Sequence, residues 1–407
     1  MIRKTRRRHF LQQVASLPFA GGLAGVGLAS AAPAEKFPSD HDRDFFAELG
    51  IRPVINGQGV VTTLTGSLLP PEVIAAMNFA STKFVRLVEL QEKVGARIAS
   101  MLHCEDAMVS CGAASAITLA TAATLTGKDP EKIRLLPNLE GPPREVVMPK
   151  GHRIYPQQFQ ACGVKLVEVD GPTEMERTMN KHTTMAFFFN ASPSQSISRE
   201  EFVRISRKHQ VPTFIDCASD VPPMENLFKP IALGFDLVTF SGGKAICGPQ
   251  SAGLLFGRKD LIAAARLNHS PNQSIGRGMK VSKEEIIGMM VALELYLKKD
   301  HARAWAEWER GVEQIAASVR VVSSVVAEKY IPEVANHVPH VRITWDETLV
   351  KISPAQAAEE LRHGDPSIEV LGGRDAIIYN MFMIRPEEVR LVAGRTREVL
   401  EQAARRR

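Results

Sequence analysis

Residues 235–253 read Phe-Asp-Leu-Val-Thr-Phe-Ser-Gly-Gly-Lys-Ala-Ile-Cys-Gly-Pro-Gln-Ser-Ala-Gly, and this stretch constrains the fold more than any other. Its apolar run, Leu237 to Phe240, has the pattern of a strand buried in a parallel sheet. The run stops at Ser241-Gly242-Gly243, where glycine permits a sharp turn and close approach to a ligand. Lys244 follows at once, then a Gly-Pro turn, then a second strand from Ser251 to Phe256. A lysine held between a buried strand and a tight turn can lose its hydration. That lowers the pKa of the amine and makes it a nucleophile able to form a Schiff base. On this stretch alone, a lysine that only caps a loop is the alternative.

A second apolar strand, Val211-Pro-Thr-Phe-Ile-Asp216-Cys-Ala218, ends in a carboxylate. Ligands of open α/β sheets sit beyond the carboxyl ends of the strands, so Asp216 and Lys244 are expected on one rim. Pyridoxal 5′-phosphate (PLP) needs such a pair. The lysine binds its aldehyde, and the aspartate keeps the ring nitrogen protonated so that the ring withdraws electrons. Asp216-Cys217-Ala218, Phe240-Ser241-Gly242-Gly243-Lys244 and Gly248-Pro249-Gln250 together resemble the fold-type I PLP enzymes. Within these, the chain is similar to the family that contains selenocysteine synthase (seryl-tRNA selenium transferase) and D-glucosaminate-6-phosphate ammonia-lyase. The resemblance runs over roughly residues 50–300, with a weaker C-terminal part.

The resemblance implies a set of cofactor contacts. Glu105 to Ala116 reads as strand, turn and helix start, followed by strong helix material from Ile117 to Leu125. Small residues there let backbone N–H groups and the positive end of the helix dipole reach a phosphate. The resembled enzymes carry a Ser-Gly-Ala-x-Ala loop at this place. Here it is Cys111-Gly112-Ala113-Ala114-Ser115, a departure at the first position. Gly112, Ala113, Ala114 and Ser115 are therefore expected to cradle the phosphate, with a further hydroxyl from Ser241. Ala218 completes the Asp-x-Ala motif beside the ring. His152, just beyond the strand Val146–Pro149, either stacks on the ring, as the resemblance implies, or is a satisfied loop histidine. Asn190 ends the buried run Met185–Phe189 and either bonds the ring oxygen or substrate, or shapes the turn that follows.

Arg277 lies in Gly276-Arg-Gly-Met-Lys280-Val-Ser-Lys283-Glu-Glu285, a stretch similar to one in the family. It either reaches an active site, a neighbouring subunit's included, or belongs to a basic loop. Arg374 and Arg385 are equal candidates for gripping a substrate carboxylate. The Gly- and Thr-rich segment Arg52–Ser67 is either an extended piece near the site or a surface loop.

These readings combine into an α/β fold of the fold-type I PLP-dependent transferase kind. A mostly parallel, seven-stranded-type sheet is expected in a large domain at 51–281, and a long connecting helix at 282–330. A small α+β domain follows at 331–407. Residues 1–34 are expected to be a twin-arginine signal peptide, with Arg7-Arg8-His9-Phe10-Leu11 before a Gly- and Ala-rich apolar stretch, and 35–50 a linker. This implies a periplasmic protein exported folded, with its cofactor loaded beforehand.

Charge argues against a nucleic-acid partner. Five of the 50 basic residues lie in the leader, leaving 45 against 45 acidic ones. Apart from the leader, almost no chain precedes the expected PLP domain, so no activity on tRNA is expected. The five cysteines, 104, 111, 162, 217 and 247, show no zinc spacing, no metal is expected, and they read as buried small side chains. By resemblance the protein is a homodimer or larger that acts on a small amino substrate by β-elimination or replacement. Transamination, racemisation, aldol cleavage and a non-catalytic exported binding protein are the alternatives.

Overall fold

Strands that alternate with helices pair in parallel, because each crossover helix returns the chain to the same end of the sheet. The computed structural model describes residues 43–141, 143–192 and 195–406. The expected signal peptide, and the linker up to residue 42, lie outside them. Among the described residues the strands are β1 (Ile55–Gly57), β2 (Asp106–Ser110), β3 (Glu145–Pro149), β4 (Lys165–Val169), β5 (Thr183–Phe189) and β6 (Thr213–Asp216). They continue with β7 (Leu237–Ser241), β8 (Gly253–Gly257), β9 (Val326–Tyr330), β10 (His340–Thr344), β11 (Ile368–Gly372) and β12 (Ile377–Asn380). The chain divides into residues 1–52 and 53–407. In the first unit, Asp44 caps a helix Phe45–Glu48 by accepting from the Ala47 N–H at 3.0 Å. The second unit holds both sheets.

The larger sheet has seven strands in the order β2-β8-β7-β6-β5-β3-β4. β3 to β7 pair in parallel, whereas β8 runs antiparallel to both β7 and β2. Side chains leave the sheet alternately to its two faces. Phe187, Phe214 and Leu237 pack with Ile117 and Ala120 of the helix Gly112–Thr126. Phe188, Ile215 and Val238 pack on the opposite face with Ile98, Phe202 and Met289. The smaller sheet has the order β1-β11-β12-β10-β9. Its core includes residues from the helices His301–Val319, Pro354–His363 and Val389–Ala404.

Two expectations need correction. The stretch 282–330 is not one long helix. The helix Lys283–Lys298 ends where Lys299 turns extended, and Asp300 starts a new helix by accepting from the Arg303 N–H at 2.9 Å. That helix stops at Val319, and Val326–Tyr330 is β9. The large domain also does not keep all of 51–281. β1 leaves it and pairs in parallel with β11, Ile55 opposite Ile368 and Gly57 opposite Val370.

Candidate functional site

β6 and β7 are neighbours, with Asp216 opposite Thr239, so their carboxyl ends form one rim. Asp216 is 2 % exposed and accepts a hydrogen bond from the Ala218 N–H at 2.8 Å. Burial raises its pKa to about 6, against the opposing pull of that N–H and of Lys244. Beyond β7 the chain turns so tightly that no Cβ fits. At Gly242 one would lie 2.4 Å from the Met289 sulfur, and at Gly243 one would lie 2.3 Å from the Gln250 Cα. Lys244 is half-buried on this turn. Burial lowers its pKa, while Asp216 and Asp220 draw it back up. A desolvated amine facing two carboxylates can serve as nucleophile and as proton acceptor.

The register Ser110–Gly253–Ser241 across β8 aligns the start of helix Gly112–Thr126 with the lysine turn. Gly112 has φ +79°, and a Cβ on Gly253 would lie 2.5 Å from its carbonyl carbon. Backbone therefore meets backbone here, with the first-turn N–H groups free of helical partners. Cys111 occupies the N-cap with no side-chain cap. Ala113 is buried and Ala114 half-buried. The Ser115 hydroxyl donates to the Gly112 carbonyl at 3.1 Å, so it supports the loop from within. The Ser241 N–H lies 3.4 Å from the Ala218 carbonyl, tying the two strand ends together.

His152 is fully buried beyond β3. Its Nδ1 accepts the Phe189 N–H at 3.1 Å, and its ring meets Phe188 edge-on at 4.6 Å. A neutral ring held this way carries its proton on Nε2. Asn190 lies beside Asp216, whose carbonyl accepts its N–H at 3.1 Å. Its Nδ2 donates to Asp220 at 2.7 Å, and its Oδ1 accepts from Arg199 at 2.6 Å. Asp220 and Arg199 escaped the sequence reading. The available signal was a second aspartate four residues after Asp216, in a stretch otherwise without charge.

The far end of the Gly- and Thr-rich segment, Thr62 to Ser67, runs along the lysine turn. The Ser67 N–H donates to the Gly243 carbonyl at 3.0 Å, and a Cβ on Gly66 would lie 2.4 Å from the same oxygen. Arg277 is exposed in a groove of about 490 Å³ with Lys280, Lys283 and Glu285. Arg385 is held by Glu388, Nε to Oε1 at 3.0 Å, and lines a cavity of about 330 Å³ with Leu68 and Trp308. Arg374 is exposed in the turn between β11 and β12. All five cysteines are free thiols, and among the described residues no cluster has the makings of a metal site.

The residues present fit PLP: a half-buried amine, a buried carboxylate on the same rim, and a helix start of small residues in register with the lysine turn.

The sequence profile of the L-seryl-tRNA selenium transferase family matches residues 54–320. D-glucosaminate-6-phosphate ammonia lyase of Salmonella typhimurium is 27% identical over 379 residues, covering 89% of this chain and 99% of that one. A 5′-C-glycyluridine monooxygenase-decarboxylase from Streptomyces is 31% identical over 338 residues, covering 79% of this chain and 83% of that protein. The solved structure of D-glucosaminate-6-phosphate ammonia-lyase superposes with a TM-score of 0.79 at 26% identity, over 89% of this chain and 100% of that one.

Proposed function

Since the chain belongs to the L-seryl-tRNA selenium transferase family and carries the fold-type I architecture of PLP enzymes, we propose that it eliminates or replaces a β-substituent on a small amino acid or amino sugar. That it is a PLP-dependent enzyme of the lyase and transferase group follows from the family itself. The observation that carries the finer reading is the Lys244 amine set against the Asp216 carboxylate on the β6–β7 rim. The similarity to an ammonia lyase over nearly the whole of both chains supports elimination in particular.

When bound, PLP supplies an aldehyde for amines and a ring that withdraws electrons. In this reading Lys244 Nζ would hold the cofactor's aldehyde and, as an amine of lowered pKa, would be the base for the substrate Cα proton. Asp216 would hold the proton of the ring nitrogen. The Gly112–Ser115 backbone and the Ser241 hydroxyl would hold the phosphate, as a helix start does for an anion. His152, buried against Phe188 with its Nδ1 taken by the Phe189 N–H, would have to turn outward to flank the ring, and Asn190 would offer its second amide hydrogen to the ring oxygen. Arg277, Arg374 and Arg385 remain candidates for substrate anions.

Borohydride reduction followed by peptide mapping tests this assignment: the pyridoxyl mark is expected on the peptide containing Lys244. Ammonia release from a panel of amino sugars and amino acids tests the reaction. A mark on another peptide, or none, refutes the reading. The relative named as a monooxygenase-decarboxylase favours a second reading, oxidative decarboxylation of an amino acid. Oxygen uptake and carbon dioxide release in the same panel would identify it.

Three further proposals concern the setting. The substrate is a small molecule and not tRNA, as the balance of 45 basic and 45 acidic residues outside the leader suggests. The chain assembles at least as a homodimer. Phe79, Phe84 and Val88 are more than half exposed on one short segment, an apolar patch that a second copy would cover. Sedimentation tests this: a monomer at micromolar concentration refutes it. The leader directs export by the twin-arginine route to the periplasm. Cell fractionation tests it, with Arg7→Lys and Arg8→Lys together expected to retain the protein inside.

A further inference from the structure

We infer that Asp220 is a second acidic positioning residue of this site: it clamps the Asn190 amide against Arg199 and balances the positive charge on the Lys244 nitrogen. The inference rests on the reading of Lys244 as the cofactor-binding amine.

Asp220 is 3 % exposed and fixed through its backbone. Its N–H donates to the Cys217 carbonyl at 3.1 Å, and its own carbonyl accepts from Asn226 Nδ2 at 2.7 Å. Its Oδ2 accepts from Asn190 Nδ2 at 2.7 Å, while Asn190 Oδ1 accepts from Arg199 Nε at 2.6 Å. A flipped Asn190 would set oxygen against carboxylate and NH₂ against guanidinium, so only one orientation is stable. That orientation leaves one Nδ2 hydrogen to spare.

The other carboxylate oxygen, Oδ1, is buried without a hydrogen-bond partner. A loop staple has no need of this, since a buried, half-satisfied carboxylate is costly. The charge does have a use. Around Asp220 stand Arg199 on the helix Arg199–Lys208, Lys244 on the lysine turn, Asp216 on β6 and the Cys217 thiol. Burial, opposed by the Asn190 amide, the Cys217 thiol and then the two cations, raises the pKa of Asp220 itself. Asp216 is committed to the ring nitrogen once the cofactor is bound. Asp220 is then the anion left to act on the lysine nitrogen.

The test compares Asp220→Asn, which keeps the shape and the acceptor for Asn190, with Asp220→Glu, which keeps the charge. The visible absorption band of the cofactor in the loaded enzyme is titrated with pH. An anion beside a protonated nitrogen holds that proton to higher pH, so its removal lowers the midpoint. Asp220→Asn is expected to lower it by about one pH unit, a modest effect for a buried opposite charge. Asp220→Glu is expected to restore the wild-type value.

Acetic anhydride labelling of Lys244, followed by peptide mass across the pH range, reads the same shift in cofactor-free protein. A labelling shift with no cofactor band would sink the PLP reading and keep this one. Equal midpoints for wild type and a folded Asp220→Asn overturn the inference. Asp220→Ser, smaller and also uncharged, must move the midpoint in the same direction and decides the matter if Asp220→Asn does not fold.

Discussion

Asp216→Asn isolates what the site costs the fold before the cofactor arrives. The asparagine Oδ1 can still accept the Ala218 N–H, now at 2.8 Å, so the change removes charge and little else. Burial moves the Asp216 carboxyl from 3.8 to about 6, so the folded state binds the proton more tightly than the unfolded chain. A raised carboxyl destabilises the fold wherever it must ionise. The cost is absent below the unfolded value, grows between 3.8 and about 6, and is complete above that. The displacement corresponds to roughly 3 kcal/mol. Urea unfolding of cofactor-free protein should therefore show the two proteins equally pH-responsive at acid pH. By pH 7, Asp216→Asn should be the more stable by roughly that amount. Bound PLP gives the carboxylate its partner, so loading should narrow the gap. A wild type that holds its stability relative to the variant from pH 4 to pH 7 would refute the argument that burial dominates at Asp216.

Gly243→Ala forces a methyl to 2.3 Å from the Gln250 Cα, against backbone that cannot yield cheaply. A loss of about 1–3 kcal/mol is expected in thermal unfolding, with weakened cofactor retention. Arg266 grips Asp106 through two bonds of 2.7 Å beneath the β2–β8 edge, and both side chains are largely buried. Arg266→Leu strands the carboxylate and should cost about 3 kcal/mol by chemical denaturation. Tyr379→Phe removes the hydroxyl that pairs with Thr396 at 2.7 Å in the smaller core. A loss of about 1 kcal/mol is expected, with the site's absorption unchanged.

The parts of the site written in consecutive residues were legible from the chain. Asp216 closes one short apolar strand and Lys244 follows another by three residues, and Gly242-Gly243 announces a turn that admits no side chain. The helix start at Gly112 was legible for the same reason: small residues follow a strand directly. Asp220 was not, because its meaning lies in Asn190 and Arg199, which arrive from other elements. The break at Asp300 was hidden among charged residues that suit a helix interior as well as a cap. β1 was missed because three residues gain strand character only from β11, some three hundred positions later in the chain.

That pairing has a mechanical outcome. Residues 58–67 run from the edge of the smaller sheet to the carbonyl of Gly243, next to Lys244. They form a drawstring: a shift of the β1 edge would pull on the peptide that joins Gly243 to Lys244 through the Ser67 N–H, and on the turn beyond it through the Gln250 amide, which donates to the Thr62 carbonyl.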